Sequence, residues 1–346
     1  MKKQIERILF ILMIVLLPKL SQAQADIHFS QFYETSILRN PSLVGVFEKD
    51  FKVGGNYRKQ WESISNPFET TLAYAEFRKS VGRVANDFLS IGVLAYSDKA
   101  GTIDQKITSF YPALNFSKCL NPDKNTYLSV GFTAGYTQYS FDLSKASFNN
   151  QYMFGSYSRS NPTREHINNS TLTLWDLGTG INFNSTSGTN HSVSYMFGIS
   201  GYHLTQPNFS YNAIPGVDIN MRWNINGAVG FDLGEGKSSN AYLNVALQGA
   251  YREIVIGDLM TYSKEIGGIL DDYALSAGLF YRYGDALIPV LRMRYKNVAV
   301  GYSYDINVSR LTPASNMRGG SELTIFLTGN LSNKNSGEHK TVCPKF

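Results

Sequence analysis

The chain has 346 residues, of which 43% are hydrophobic, 13% aromatic and only 17% charged. Disordered chains combine few aromatics with high net charge, so disorder is excluded. After residue 20 no apolar run approaches the roughly 18 residues a spanning helix needs, which excludes a helical membrane protein and leaves a large soluble β protein or an outer-membrane barrel whose apolar residues alternate.

At the start, Lys2, Lys3 and Arg7 precede an apolar core from Ile8 to Leu17, then Ser21-Gln22-Ala23-Gln24-Ala25. A basic start, a short apolar core and small residues at a cleavage site predict a secretory signal peptide over 1–25, cut after Ala23 or Ala25. The alternative is an uncleaved anchor helix, for which the core is short. Removing 1–25 takes away Lys2, Lys3, Arg7 and Lys19 against Glu6. That leaves 28 basic and 26 acidic residues, so the formal net charge falls from +5 to +2. No basic cluster stands out, and nucleic acid is not an expected partner.

Residues 26–50 lack clean alternation, yet Asp26-Ile27-His28-Phe29-Ser30-Gln31-Phe32-Tyr33 and Arg39-Asn40-Pro41-Ser42-Leu43-Val44-Gly45 are too patterned for a linker. This segment is expected to fold into a barrel mouth as a periplasmic plug. Its candidate contact residues are His28, Phe29, Phe32, Tyr33, Asn40 and Pro41.

From 51 to 330 a period of two dominates. Leu128, Val130, Phe132, Ala134 and Tyr136 alternate with Ser129, Gly131, Thr133 and Gly135, the mark of a strand with one apolar and one small, polar face. The same pattern predicts strands near 51–60, 69–79, 87–97, 104–117, 126–139, 171–184, 191–204, 221–234, 240–251, 253–263, 271–283, 286–296, 298–308 and 319–329. Alternation is least clean at 69–79 and 253–263. About fourteen strands of this length suit an all-β fold, an antiparallel transmembrane β-barrel, since bacterial barrels take even strand numbers. Turns 187–190 and 235–239 are short, whereas 140–170 and 205–220 are long and rich in Asn, Ser, Tyr and Pro. Barrels place short turns in the periplasm and long loops outside, and the parity of fourteen strands agrees. A soluble sandwich or propeller is the competing fold, but no blade-length repeat is visible.

Tyr57, Tyr96, Tyr136, Phe183, Tyr195, Trp223, Tyr283 and Tyr295 fall near strand ends, as interfacial girdles require. Lys52, Arg58, Asp176, Asp232, Arg282, Arg292, Arg294 and Asp305 fall on the lumen face, where opposite charges among small residues suggest a narrow or plugged interior held by ion pairs. In the long loops, Tyr152, Phe154, Tyr157, Arg159, Phe209 and Tyr211 combine rigid aromatic area with adaptable hydrogen bonds, which suits binding a protein partner. The polar tail 331–346 ends in Cys343-Pro344-Lys345-Phe346. Parity sets Cys343 and Cys119 on one side, so they are either a disulfide pair in an oxidising compartment or two free thiols.

No catalytic, phosphate-binding or metal-binding motif is present, and no cofactor is expected. Ser200 and His203 share one strand, but no orienting Asp or Asn is identifiable in the sequence, and packing is the favoured role.

His28-Phe29-Ser30-Gln31-Phe32-Tyr33, Arg39-Asn40-Pro41-Ser42-Leu43-Val44-Gly45 and Gly55-Asn56-Tyr57-Arg58-Lys59-Gln60-Trp61 resemble the opening of the PorP/SprF family. Tyr202-His203-Leu204-Thr205-Gln206-Pro207-Asn208, Tyr281-Arg282-Tyr283-Gly284-Asp285-Ala286-Leu287-Ile288-Pro289 and Gly301-Tyr302-Ser303-Tyr304-Asp305 extend the resemblance along the chain. It implies an outer-membrane barrel of the type IX secretion and gliding-motility machinery of Bacteroidota. It further implies partners: outer-membrane lipid, a secreted adhesin-like protein with a type B C-terminal sorting domain, and periplasmic ring or peptidoglycan-binding components. The loop 140–170 and the end of the last strand, Leu327-Thr328-Gly329-Asn330, depart from the family pattern. The rival reading is a fourteen-stranded channel with an N-terminal hatch for a small, hydrophobic solute.

Overall fold

The computed structural model describes residues 26–331, apart from 65, 82–86, 164, 166, 168, 267 and 268. The expected signal peptide and Cys343 lie outside the described residues. In chain order the strands are β1 (Phe51–Gln60), β2 (Phe68–Val81), β3 (Asp87–Ala100), β4 (Gln105–Asn121) and β5 (Thr126–Ser140). A small hairpin follows, β6 (Tyr152–Met153) with β7 (Ser156–Tyr157). Then come β8 (Thr171–Ser187), β9 (Val193–Tyr202), β10 (Arg222–Gly234), β11 (Lys237–Gln248) and β12 (Tyr251–Ile266). The last are β13 (Ile269–Arg282), β14 (Ala286–Tyr295), β15 (Val298–Asn307) and β16 (Arg318–Gly329).

All but β6 and β7 form one closed antiparallel barrel of fourteen strands, each paired with its sequence neighbour. β1 closes on β16 from Phe51 opposite Gly329 to Gln60 opposite Gly320. Closure removes every open sheet edge, which is what a sheet in lipid needs. No helix among the described residues is long and apolar enough to cross a membrane.

Connections 61–67, 141–170, 203–221 and 308–317 all lie at one rim, the long-loop rim. At the opposite rim 122–125, 188–192, 235–236 and 296–297 are tight turns, and there β1 starts and β16 ends. The outward face carries exposed apolar side chains on strand after strand, including Ile91, Phe132, Leu177, Phe197, Met260 and Leu291. A continuous belt of this kind marks a surface that meets lipid or protein rather than water. Most of the expected girdle aromatics belong to this face, but Tyr96 does not. It points into the lumen and stacks on Tyr111, ring centroids 6.3 Å apart, because β3 turns its even-numbered residues inward.

Residues 26–50 run inside the barrel. A turn at Phe32–Glu34, the single-turn helix α1 (Ser36–Arg39) and a turn at Pro41–Leu43 carry the chain from the long-loop rim to the start of β1. Two apolar clusters fix it to the wall. Phe32 and Leu43 pack with Tyr242, Val255, Leu259, Phe280 and Ile288, while Phe29, Ile37 and Val44 pack with Leu72, Tyr74, Leu94 and Tyr111. This explains why 69–79 and 253–263 alternate poorly in sequence. Leu72, Tyr74, Val255 and Leu259 are apolar on the lumen face because they meet this inner segment.

Candidate functional site

The lumen is the chemically dense region, and residues 26–45 organise it from one rim towards the other. Near the long-loop rim, the Nε2 of His203 and the Oδ2 of Asp26 are 2.8 Å apart. The Nδ1 of His203 stands 2.9 Å from Asp176 Oδ2, and Arg222 donates to Asp26 at 3.3 Å. The backbone N–H of Asp26 donates to Gln248. The cavity bounded by Asp26, Tyr96, Tyr111, Tyr202, His203 and Arg222 measures about 10 Å³, roughly the space of one water.

His203 follows β9 and Asp26 precedes the first strand, so both lie outside the spanning segments. Burial disfavours the charged ring, but Asp26 and Asp176 outweigh it and raise His203 to about 10. Burial likewise opposes the Asp26 carboxylate, yet His203 and Arg222 hold it far below the usual range. A raised histidine stabilises the fold fully below its unfolded value, about 6.5, and loses that contribution as pH rises through the folded value. A depressed carboxylate contributes fully above its unfolded value, about 3.9, and loses that contribution as pH falls towards the folded value. The contact is therefore complete between about pH 4 and 6.5 and weakens towards pH 10. Amide hydrogen exchange at residues 26–28 is expected to quicken between pH 6 and 10, beyond the intrinsic base catalysis. In His203→Gln this excess pH dependence is lost; an unchanged excess would show that the His203–Asp26 contact does not hold residues 26–28 in place.

One level deeper, five charges share one buried cluster. Arg58 meets Asp305 at 2.8 Å and Glu322 at 3.3 Å, Arg282 meets Asp305 at 2.9 Å and Glu253 at 3.5 Å. The inner segment enters this cluster directly. Ser30 N–H donates to Glu322 at 2.6 Å and Gln31 N–H to the same carboxylate at 3.1 Å, while Ser30 Oγ donates to Asp305 and accepts from Arg58 and Arg282. His28 stands 3.6 Å from Glu253, and burial lowers it to about 4, so it is neutral. Below, Glu34 takes Lys52 at 2.7 Å and Arg292 at 2.8 Å. Burial works against its charge, but the two cations outweigh it and lower its pKa.

The Asn40-Pro41-Ser42 turn is held by the wall of β4, β5, β8, β9 and β10. Asn40 Nδ2 donates to Ile181 O at 3.2 Å and to Asn226 Oδ1 at 2.9 Å, while its Oδ1 caps Ser42 N–H at 2.9 Å. Ser200 and Asn224 donate to Arg39 O, Tyr202 donates to Ile37 O, and Asn115 donates to Val44 O at 2.7 Å. Buried backbone carbonyls need such partners. Gly131 and Gly180 make the approach possible, since a Cβ on Gly131 would overlap the Pro41 carbonyl and one on Gly180 the Asn40 side chain.

Of the charges expected in the lumen, Lys52, Arg58, Asp176, Arg282, Arg292 and Asp305 join these clusters. Arg294 is half-buried near the short-turn rim. Asp232 differs. It lies exposed at the end of β10 and accepts the N–H of Gly234 at 2.9 Å, because the strand ends in a tight turn there. Ser200 and His203 do not meet, since Ser200 Oγ is committed to Arg39 O and His203 to two aspartates. Sequence reasoning missed Glu253 and Glu322, which strand parity could have found, and Asp26, Glu34 and Arg39, for which no periodic signal exists.

In the long loops, Tyr152, Phe154, Tyr157 and Arg159 are exposed, with Phe154 at the hairpin tip in a left-handed conformation (φ 55°). Gln151 steadies this loop, donating from Nε2 to Arg159 O and Asn161 O. A cleft of about 270 Å³ opens between Leu143, Phe148, Arg159 and Glu165. Phe209 and Tyr211 instead fold back, set edge-on to Tyr139 and Phe141 at 5.0 and 5.1 Å. Cys119 is half-buried at the short-turn end of β4 beside Phe88 and Tyr127.

A closed barrel with an apolar outer belt and a charged, occupied lumen defines an outer-membrane protein. Residues 21–326 match the model of the type IX secretion system membrane protein PorP/SprF family, and the chain belongs to that family. No curated protein matches the sequence. Among solved structures, the chain is similar to the toluene transporter TbuX of Ralstonia pickettii at TM-score 0.51 and 11% identity, over 84% of this chain and 91% of that one. A Pseudomonas aeruginosa FadL homologue gives TM-score 0.47 and 11% identity over 84% and 92%. The toluene transporter TodX of P. putida gives 0.46 and 8% over 83% and 94%.

Proposed function

We propose that this barrel is a non-enzymatic anchor, which holds a secreted adhesin-like protein with a type B C-terminal domain at the outer face of the membrane. Membership of the type IX secretion family carries the reading. Two features of the molecule support it. The longest connections gather at one rim, which in transmembrane barrels is the outer one. The hairpin there exposes Tyr152, Phe154 and Tyr157 beside Arg159, the residue types that dominate binding energy at protein interfaces. Residues 26–46 act in this reading as a plug that closes the lumen while the loops do the holding. The packed interior disfavours a solute path, and the similarity to TbuX is one of fold alone. Contacts with periplasmic ring or peptidoglycan-binding components would fall at the short-turn rim.

Mild-detergent extraction followed by mass spectrometry is expected to recover the secreted protein with the barrel. Truncating 145–166 is expected to leave the barrel in the membrane and release that protein into the medium. The double variant Tyr152→Ala, Phe154→Ala is expected to weaken retention by roughly 30-fold, the equivalent of about 2 kcal/mol for a hot spot. Full retention by cells carrying the truncation would count against the anchor.

A further inference from the structure

Lys52, Arg58, Arg222, Arg282 and Arg292 each meet a carboxylate in the lumen. Arg39 is as buried as they are, at 5% exposure, and meets none among the described residues. Its Nε and Nη1 have no acceptor, and Nη2 reaches only the Met196 sulfur, at 3.9 Å. The Phe32 ring, 5.8 Å from the guanidinium carbon, offers a weak cation–π contact. Burial pulls Arg39 down only to about 10, so it carries its charge at neutral pH.

The surroundings are unsatisfied in the same way. Asn182, Gly198, Asn226 and Asn244 pair across β8, β9, β10 and β11, forming one level of the wall. Arg39 O is held one level above, by Ser200 and Asn224, and its side chain passes this row to reach Met196 one level below. On this row Asn182 Nδ2 and Asn244 Oδ1 are also buried without partners. Nearer the short-turn rim, Asn240 is half-buried. Ordered water can satisfy such groups, but it does not neutralise a guanidinium removed from bulk solvent.

We propose that Arg39 is the cationic anchor of a binding site for a small oxyanion, of carboxylate or phosphate class, in the short-turn half of the lumen. The guanidinium supplies charge-assisted donors suited to an oxyanion, and the unpartnered Nδ2 of Asn182, on the row the side chain passes, supplies a neutral one. The site is independent of the anchoring role.

The test uses the full chain in detergent, with sodium acetate or inorganic phosphate replacing sodium chloride at constant ionic strength. At an oxyanion concentration about 100 times its dissociation constant, the folding equilibrium constant is expected to rise about 100-fold. Arg39→Met is expected to abolish the rise and Arg39→Lys to reduce it. Broadening of the ¹³C-acetate resonance by the wild-type barrel, reversed by added phosphate, reads the same site should Arg39→Met fail to fold. Stabilisation equal to that in chloride, an equal rise in Arg39→Met, or no reversible broadening would each overturn the proposal and leave only water beside Arg39.

Discussion

Replacing Arg58 with methionine is expected to destabilise the folded barrel by about 3–5 kcal/mol, the scale for breaking a buried ion pair by removing one partner. Arg58 is almost wholly buried and touches Asp305, Glu322 and the hydroxyl of Ser30 together. Without it, Asp305 keeps Arg282, but Glu322 keeps only neutral donors: the N–H groups of Ser30 and Gln31 and the Asn56 amide. Methionine fills much of the arginine stem, so the loss is electrostatic rather than a cavity. The measurement is the urea midpoint of the refolded barrel in lipid vesicles. The double variant Arg58→Met, Glu322→Gln is expected to be less destabilised than the two single changes summed, because contacting residues are not additive. Strict additivity, or a loss below about 1 kcal/mol, would show that the cluster is not a coupled unit.

The inner segment takes part in this cluster through its backbone as much as its side chains, and that bears on what a sequence can reveal. The barrel was legible because lipid imposes period two on every spanning strand. Leu128, Val130 and Phe132 alternate with Ser129, Gly131 and Thr133 whatever else the protein does. The pattern fades where the inner face stops being polar. β2 and β12 read poorly because Leu72, Tyr74, Val255 and Leu259 pack against residues 29–44, so that both faces become apolar. A muddled strand here is the imprint of the segment it touches. Arg58, Arg282 and Asp305 could be placed in the lumen by parity, but their partners could not be paired, since register between strands far apart in sequence fixes those contacts. Asp26, Glu34 and Arg39 had no periodicity to betray them. In the loops, exposure sorted the candidates: Tyr152, Phe154 and Tyr157 are free of the barrel, whereas Phe209 and Tyr211 pack on its aromatic rim.

Gly131→Leu is expected to evict the inner segment without unfolding the wall, and so to raise single-channel conductance in planar bilayers. A side chain on Gly131 points at the Pro41 carbonyl and the Ser42 amide, which are backbone atoms that cannot rotate aside. The backbone of Gly131 itself is ordinary strand, paired with Asn115 on β4 and Gly180 on β8, so leucine suits the wall. The strain, about 1–3 kcal/mol or more for an overpacked site, therefore falls on the contact between segment and wall. Asn40 loses its bonds to Ile181 and Asn226 together, because both depend on one close approach. Deleting 26–46 defines the fully open current, and Gly131→Leu is expected to approach it. Gly227→Leu is the control: its nearest neighbours stand 3.9 Å or more from an added Cβ, and its current is expected to match wild type. Unchanged current in the deletion would sink the plug itself. An open deletion with a closed Gly131→Leu would instead show that the clusters around Ser30 and Glu34 hold the segment in place without the Asn40 turn.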